Sequence, residues 1–189
     1  MALPNPLLSA LIPPLRGMGI DLADFSFNNN ATNLGEIALN IAIRKWNAAV
    51  RIALDSVTFL AANPNWPEAP QLVQFFDVVS SQVRDVVGVA PRSQESTLSF
   101  HVTPGTLDFG KTTANLVRKD ALGDGVFYGL LRYRRDEVMT IDKSVRYEGA
   151  AFVRLQRTFA GDALLADVAM QLYRDEIAVL HLLGIPEVP

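Results

Sequence analysis

Glu176 is the residue whose surroundings most clearly suggest chemistry. On a helix drawn at about 100° per residue through the last apolar stretch of the chain, Glu176 falls among apolar side chains such as Leu172 and Val179, opposite a narrow polar stripe. An unpaired carboxylate is costly in such surroundings, so it must be ion-paired, hydrogen-bonded or protonated. The placement predicts either a structural partner or a polar anchor inside an apolar ligand cavity, and both interpretations stay open.

We expect the partners of Glu176 to come from the predicted sheet. Arg132 is the best-placed arginine, because alternation along the last predicted strand directs the arginines of that strand outward. The facing strands also carry two phenols that could donate a hydrogen bond, Tyr128 and Tyr147. The predicted ligand-binding residues are therefore Glu176, Tyr128, Tyr147 and Arg132.

The other residues give little support for a catalytic site or a metal site. The chain has no cysteine and two histidines, His101 and His181, which lie far apart in sequence on predicted polar faces. A transition-metal site needs several nitrogen or sulfur ligands, and a serine triad needs a histidine backed by an acid. The glycines of residues 123–129 (GDGVFYG) are not followed by a helix that could present N–H groups to a phosphate. We therefore predict no catalytic residue, no metal site and no cofactor, and we favour a non-enzymatic protein.

Composition and charge limit the class of partner. The 189 residues are 49% hydrophobic and 20% charged, as is usual for a folded globular domain. The 17 Lys and Arg against 20 Asp and Glu give no positive field of the kind that binds nucleic acid or anionic membranes. No uninterrupted run of about 18 apolar residues is present. We expect neither a nucleic-acid nor a membrane partner, and the lack of cysteine fits a cytoplasmic location.

The spacing of apolar residues predicts strands and two long helices. Alternating positions predict strands at residues 25–27, 37–43, 50–59, 97–102, 107–117, 126–133 and 145–155. Apolar residues at spacings of three and four predict a helix at 72–87. A second long helix is expected to begin near Asp162 and to end where Gly184 and Pro186 stop it.

These elements predict an α+β fold in the order β-β-β-α-β-β-β-β-α. We expect residues 21–189 to form a single domain, in which one curved antiparallel sheet packs against both long helices. Residues 1–20 form an apolar arm whose prolines interrupt any long helix, so that one or two helical turns pack on the domain or on a neighbouring subunit. The order of elements broadly resembles that of helix-grip ligand-binding folds, which implies a ligand between sheet and helix.

The last helix leads to the functional hypothesis. One narrow stripe is polar: Asp167, Gln171, Arg174, Ala178 and His181, with Asp175 at its edge. The rest of the helix is almost entirely apolar, so we expect it to be covered on more than one side. The first hypothesis is a non-enzymatic binding or assembly module, in which this helix contacts a second copy of the chain or another protein. The alternative is a carrier of an apolar small molecule, or a helix-grip enzyme, with a cavity between sheet and helix, and a general acid–base enzyme ranks third.

Overall fold

The computed structural model of the chain describes residues 4–28, 38–53, 55–63, 69–102 and 129–185. The chain folds as two compact units, Met1–Pro91 and Arg92–Pro189, and each has its own four-stranded antiparallel sheet. The first unit contains, in chain order, α1 (Pro4–Gly17), β1 (Phe25–Asn28), β2 (Ala38–Ile43), β3 (Ala48–Ile52), β4 (Val57–Ala61) and α2 (Ala69–Val87). The second contains β5 (Ser93–Val102), β6 (Gly129–Arg134), β7 (Glu137–Lys143), β8 (Ala151–Ala160) and α3 (Leu165–Leu182).

The predicted α+β class and antiparallel pairing are confirmed. The expected single sheet and pair of helices are not found, because the described residues form two sheets and three helices. Within the described part of the chain, β1 to β4 pair only with one another, and β5 to β8 do the same. Alternation along a strand indicates which face is buried but not which strand lies beside it, and this explains the difference. The strand predicted at residues 107–117 and the glycine turn at residues 123–125 lie outside the described residues.

The first sheet is a simple meander in the order β1-β2-β3-β4. The alternation predicted for β2 is confirmed, since Leu39, Ile41 and Ile43 are buried. Asn47 turns the chain from β2 into β3 with a φ of 48°, a left-handed conformation that asparagine tolerates better than most residues. Its side-chain amide also donates to the carbonyl oxygen of Ala62 at 2.9 Å, which ties this turn to the end of β4.

Two helices contribute to the apolar core of the first unit. Leu7, Leu11 and Leu15 are buried along α1. This corrects the prediction of an interrupted arm, because α1 continues through Pro13 and Pro14. Each interior proline removes a backbone hydrogen bond. Burial of the three leucines, worth roughly 1.5–3 kcal/mol each, offsets that loss. The core residues that α2 adds are Leu72, Phe75 and Val79.

In the second sheet, β8 lies between β5 and β7, and the order is β5-β8-β7-β6. The core joins one face of this sheet to α3 through Val102, Met139, Ile141, Ala151, Val153, Leu155, Val179 and Leu183. The helix begins at Leu165, three residues after the predicted cap at Asp162. Gly184 follows its end with a φ of 73°, so the predicted glycine stop is confirmed.

The last strand begins later than predicted. The expectation that Val145 and Tyr147 face inward on β8 is wrong, because β8 begins at Ala151 and both side chains are exposed in the preceding loop. Gly149 has a φ of 71° in this loop. Its left-handed backbone breaks the extended conformation that the alternation of residues suggested.

Candidate functional site

A group of charged and polar side chains, whose carboxylates are buried, lies between the second sheet and α3. We call it the charge network, and its members are Arg132 on β6, Glu137 on β7, Arg157 on β8, and Gln171 and Asp175 on α3. Glu137 and Arg157 stand directly opposite each other on neighbouring strands. Strand alternation places them on the same side of the sheet as the core residues two positions away. The sequence therefore directs these charges under the helix.

Arg157 is the centre of the charge network. Its Nε donates to Asp175 Oδ2 at 2.9 Å, and its Nη2 donates to Asp175 Oδ1 at 2.8 Å and to Glu137 Oε2 at 2.6 Å. Arg132 donates to the other oxygen of Glu137, and the Gln171 amide donates to Asp175 Oδ1 at 2.8 Å. A two-point bond between a guanidinium and a carboxylate has a fixed geometry. The pair Arg157–Asp175 therefore sets both the rotation of α3 and its position along the sheet.

The charges of this network balance, although its carboxylates are almost fully buried. Glu137 is 6% exposed and Asp175 is 7% exposed, and two guanidinium groups face these two carboxylates. The pKa of Arg157 is raised above its ordinary value, mainly by the hydrogen bond to Asp175, while burial acts in the opposite direction. Both carboxylates are occupied by guanidinium or amide donors, so neither is free to act as a general base. The arrangement joins a helix to a sheet.

Two polar atoms at the charge network have no hydrogen-bond partner among the residues that the structure describes. They are Ser96 Oγ and Arg132 Nε, and both are buried. Ser96 lies directly opposite Arg157 on the neighbouring strand.

Three of the four residues predicted as a ligand site lie in different elements of the second unit. Arg132, which was predicted as a partner of Glu176, binds the buried carboxylate of Glu137. Glu176 is half-buried on α3 and is not without a partner. Tyr147 lies in the loop before β8, where its ring contacts His101. Tyr128 lies outside the described residues.

Asp175, Glu137 and Arg157 are the residues that sequence reasoning missed. Asp175 precedes the buried Val179 by one helical turn, although the helical wheel had placed it at the edge of the polar stripe. Glu137 occupies the same alternating set as the buried Met139 and Ile141. A charged residue in register with a buried alternating series is therefore the signal that could have found this site.

A second polar cluster surrounds His101 on the other face of the second sheet. Its Nδ1 lies 3.0 Å from Ser144 Oγ, and its ring packs against Tyr147 and Phe152 with centroid distances of 5.0 Å. Ser144 is 6% exposed and accepts two backbone N–H groups of its own loop. A nucleophilic serine must reach the substrate, so burial argues against a catalytic serine here.

No family model, no curated protein and no solved structure matches this chain. Within the described ranges, no group of three or more His, Cys, Asp or Glu side chains could hold a metal ion. None of the helices described is both long and apolar enough to cross a membrane.

Proposed function

We propose that the protein is a non-enzymatic assembly module, in which α3 packs against α3 of a second copy of the chain. The observation that supports this proposal is an apolar line along the side of α3 turned away from the sheet. We call it the outer stripe, and it consists of Ala166, Met170, Tyr173 and Ile177. Spacings of four, three and four residues bring these side chains to one side of a helix. Met170, near the middle of the stripe, is 51% exposed.

The opposite side of α3 is the one held by the sheet. Its buried residues are Val168, Asp175, Val179 and Leu183. At about 100° per residue, these positions lie roughly half a turn from the outer stripe. Because the charge network fixes the rotation of α3, it also fixes the direction in which the outer stripe points. A rigidly oriented helix loses less conformational freedom when it binds a partner.

An antiparallel pair of α3 helices fits both the shape and the charge of this surface. At a rise of about 1.5 Å per residue, a pair centred beside Met170 places each Tyr173 in the gap between Ala166 and Met170 of the second copy. Asp167 and Arg174 are exposed and lie seven residues apart on one flank of the outer stripe. The same pairing brings Asp167 of each copy opposite Arg174 of the other. Two equivalent ion pairs result, as two-fold symmetry requires.

The described contacts beneath α3 favour assembly over the transport of an apolar ligand. The region between α3 and the sheet holds the side chains of the second core together with the charge network. A ligand carrier needs a cavity with room for most of its ligand. The exposed apolar surface of α3 instead lies on its outer side, where a protein partner can reach it.

Sedimentation velocity from low to high micromolar concentration tests this proposal. We expect a reversible dimer, and we expect Met170→Glu to make it monomeric because it introduces two facing carboxylates near the symmetry axis. Leu131→Glu is the matched control, since Leu131 is 55% exposed on β6 and lies outside the proposed contact. A chain that stays monomeric at high micromolar concentration, or a dimer unaffected by Met170→Glu, would contradict the proposal.

Charge exchange tests the antiparallel register. Asp167→Arg and Arg174→Asp each convert two attractive pairs into repulsive ones, so each should weaken dimerisation about fivefold or more. The double variant restores the opposite charges and should recover the affinity of the parent chain. If the double variant dimerises more weakly than either single variant, the proposed register is wrong.

A further inference from the structure

Met170 has the most exposed side chain of the methionines that the structure describes. It is 51% exposed in the middle of the outer stripe, whereas Met139 is fully buried in the second core and Met18 is half-buried against the first. The chain contains no cysteine, so the thioethers of its four methionines are its only sulfur groups. Susceptibility to oxidation follows exposure. Met170 is therefore the described sulfur that an oxidant in solution reaches most easily.

A peroxide can oxidise this thioether without help from other side chains. A lone pair of the sulfur attacks one oxygen of hydrogen peroxide, and the O–O bond breaks as the new S–O bond forms. The second oxygen leaves as water and takes both protons of the peroxide, so the sulfur is oxidised while the peroxide is reduced. The product is a sulfoxide, which turns a flexible apolar side chain into a polar one.

The sulfoxide group would lie at the centre of the proposed dimer contact. The antiparallel pair of α3 helices is centred beside Met170, so two-fold symmetry brings the two Met170 side chains close to each other. Three of the four residues of the outer stripe, Ala166, Met170 and Ile177, have no hydrogen-bond donor in the side chain. A sulfoxide oxygen that loses its water without gaining a donor destabilises the contact. Oxidation should therefore favour separate chains.

The same oxidation should leave the fold of the second unit intact. The residues that hold α3 to the sheet, which include Val168, Asp175, Val179 and Leu183, lie on the other side of the helix. None of the ion pairs of the charge network involves Met170. A polar group added to an exposed side chain has little effect on the stability of a monomer. The modification therefore acts on the outer stripe and not on the core.

We propose that Met170 is an oxidation site at which a peroxide controls the assembly of the chain. This inference rests on the dimer proposed above. The thioether form of Met170 permits the dimer, and the sulfoxide form releases monomers. Methionine sulfoxide reductases reverse the step, because they oxidise thiols to a disulfide and release the sulfoxide oxygen as water. Assembly also protects the sulfur, since the second copy covers the face of α3 on which Met170 lies.

Peptide mass spectrometry of the full chain after timed exposure to hydrogen peroxide tests the site. In dilute protein, we expect Met170 to be oxidised at least about tenfold faster than Met139. At protein concentrations where the dimer predominates, the rate at Met170 should fall severalfold while the rate at Met18 stays the same. Equal rates at Met170 and Met139, or a rate at Met170 that does not depend on protein concentration, would overturn the proposal.

Sedimentation velocity before and after oxidation tests the effect on assembly. Conversion of Met170 to the sulfoxide should weaken the dimer about tenfold or more. The two methionine sulfoxide reductases, one for each configuration of the sulfoxide, should restore it when dithiothreitol supplies the thiols. Met170→Leu keeps a large apolar side chain that peroxide does not oxidise, so this variant should dimerise equally before and after treatment. Met18→Leu is the matched control, and its dimer should still be lost.

The possible results separate this inference from the assembly itself. A chain that is monomeric before peroxide is added contradicts the dimer, and its control by Met170 with it. A dimer that persists when Met170 is fully oxidised contradicts only the control. Loss of the Met170→Leu dimer after peroxide would show that another residue is responsible. Thermal unfolding of dilute protein should give the same midpoint before and after oxidation of Met170, and a lower midpoint would mean that oxidation damages the fold.

Discussion

In the first unit, the buried side chains that the structure describes are all apolar, and two helices contribute to the core. In the second unit, a single described helix packs on a sheet with the same number of strands, yet the buried residues include Glu137 and Asp175. Apolar contacts have no preferred direction, whereas the two-point bond of Arg157 does. The comparison suggests that the first core provides mainly stability, and that the second gives up some stability to fix the orientation of α3.

Phe75→Ala should have the largest effect, because it opens a cavity at the centre of the first core. Phe75 is fully buried, with ring centroids 6.0 Å from Trp46 and 5.5 Å from Phe76. We expect the free energy of unfolding to fall by about 3–5 kcal/mol, measured by urea denaturation. Val87→Ala, an exposed change near the end of the same helix, should stay within about 0.5 kcal/mol. A loss below about 1 kcal/mol for Phe75→Ala would show that this core does not carry the stability.

Asp175→Ala should come next, with a loss of about 3 kcal/mol, because it leaves Arg157 partly buried beside Glu137 without its main partner. Asp167→Ala, an exposed change on the same helix, should be nearly neutral in the monomer. Replacing Arg132, Glu137, Arg157 and Asp175 together by Leu, Met, Leu and Leu removes both charge pairs, so it should recover much of the stability but not the dimer. A quadruple variant that dimerises like the parent would show that the charge network does not orient α3.

Arg157→Lys should cost about 1.5 kcal/mol, since lysine keeps the charge but cannot make the two-point bond. Arg154→Lys is the matched control, because Arg154 is exposed on the opposite face of the same strand. Equal free energies of unfolding for the two variants would mean that charge alone, rather than geometry, holds α3.

Asp77→Asn should have the smallest effect and should depend on pH. Partial burial raises the pKa of the Asp77 carboxyl above its ordinary value of 3.8, although the residue is largely exposed. A raised carboxyl pKa stabilises the folded state at pH values below the unfolded pKa, and this contribution is lost as the pH rises through the folded pKa. The variant should therefore be slightly more stable than the parent at pH 7 and equal to it below about pH 3.8. Solvent screens this exposed side chain, so only a small shift in the thermal midpoint is expected, and a variant less stable at pH 7 would contradict the assignment.

Local patterns predicted the elements of this fold better than their partners. The alternation at Leu39, Ile41 and Ile43 and the glycine stop at Gly184 correspond to β2 and to the end of α3. Both depend on neighbouring residues alone. The division into two sheets depends on pairings such as Val102 with Ala151, which link distant parts of the chain. The periodicity of residues within a strand does not indicate which other strand pairs with it.

The candidate site shows the same limit on a smaller scale. The helical wheel assigned Glu176 to the apolar arc and Asp175 to the edge of the polar stripe, whereas Asp175 is the buried carboxylate and Glu176 is half-buried. Adjacent helical residues differ by about 100°, and α3 is apolar over so wide an arc that its pattern does not single out the side facing the sheet. The sequence predicted Arg132 as a partner of Glu176, whereas Arg132 binds Glu137. Sequence reasoning did not identify Glu137, which lies on an alternating strand.

The strand order of the second sheet also bears on how the chain acquires its fold. In the first sheet, each strand pairs with the next strand along the chain. In the second sheet, β5 pairs with β8, which follows β6 and β7 in the chain. Contacts between residues distant in the sequence slow folding, because a long loop must close, at a cost in entropy, before these contacts can form. We expect amide protons of β2 and β3 to gain protection before those of β5 in pulse-labelled refolding, and the reverse order would show that the C-terminal half collapses first. During synthesis, the first unit could then fold before α3, the helix proposed to form the dimer, has been synthesised.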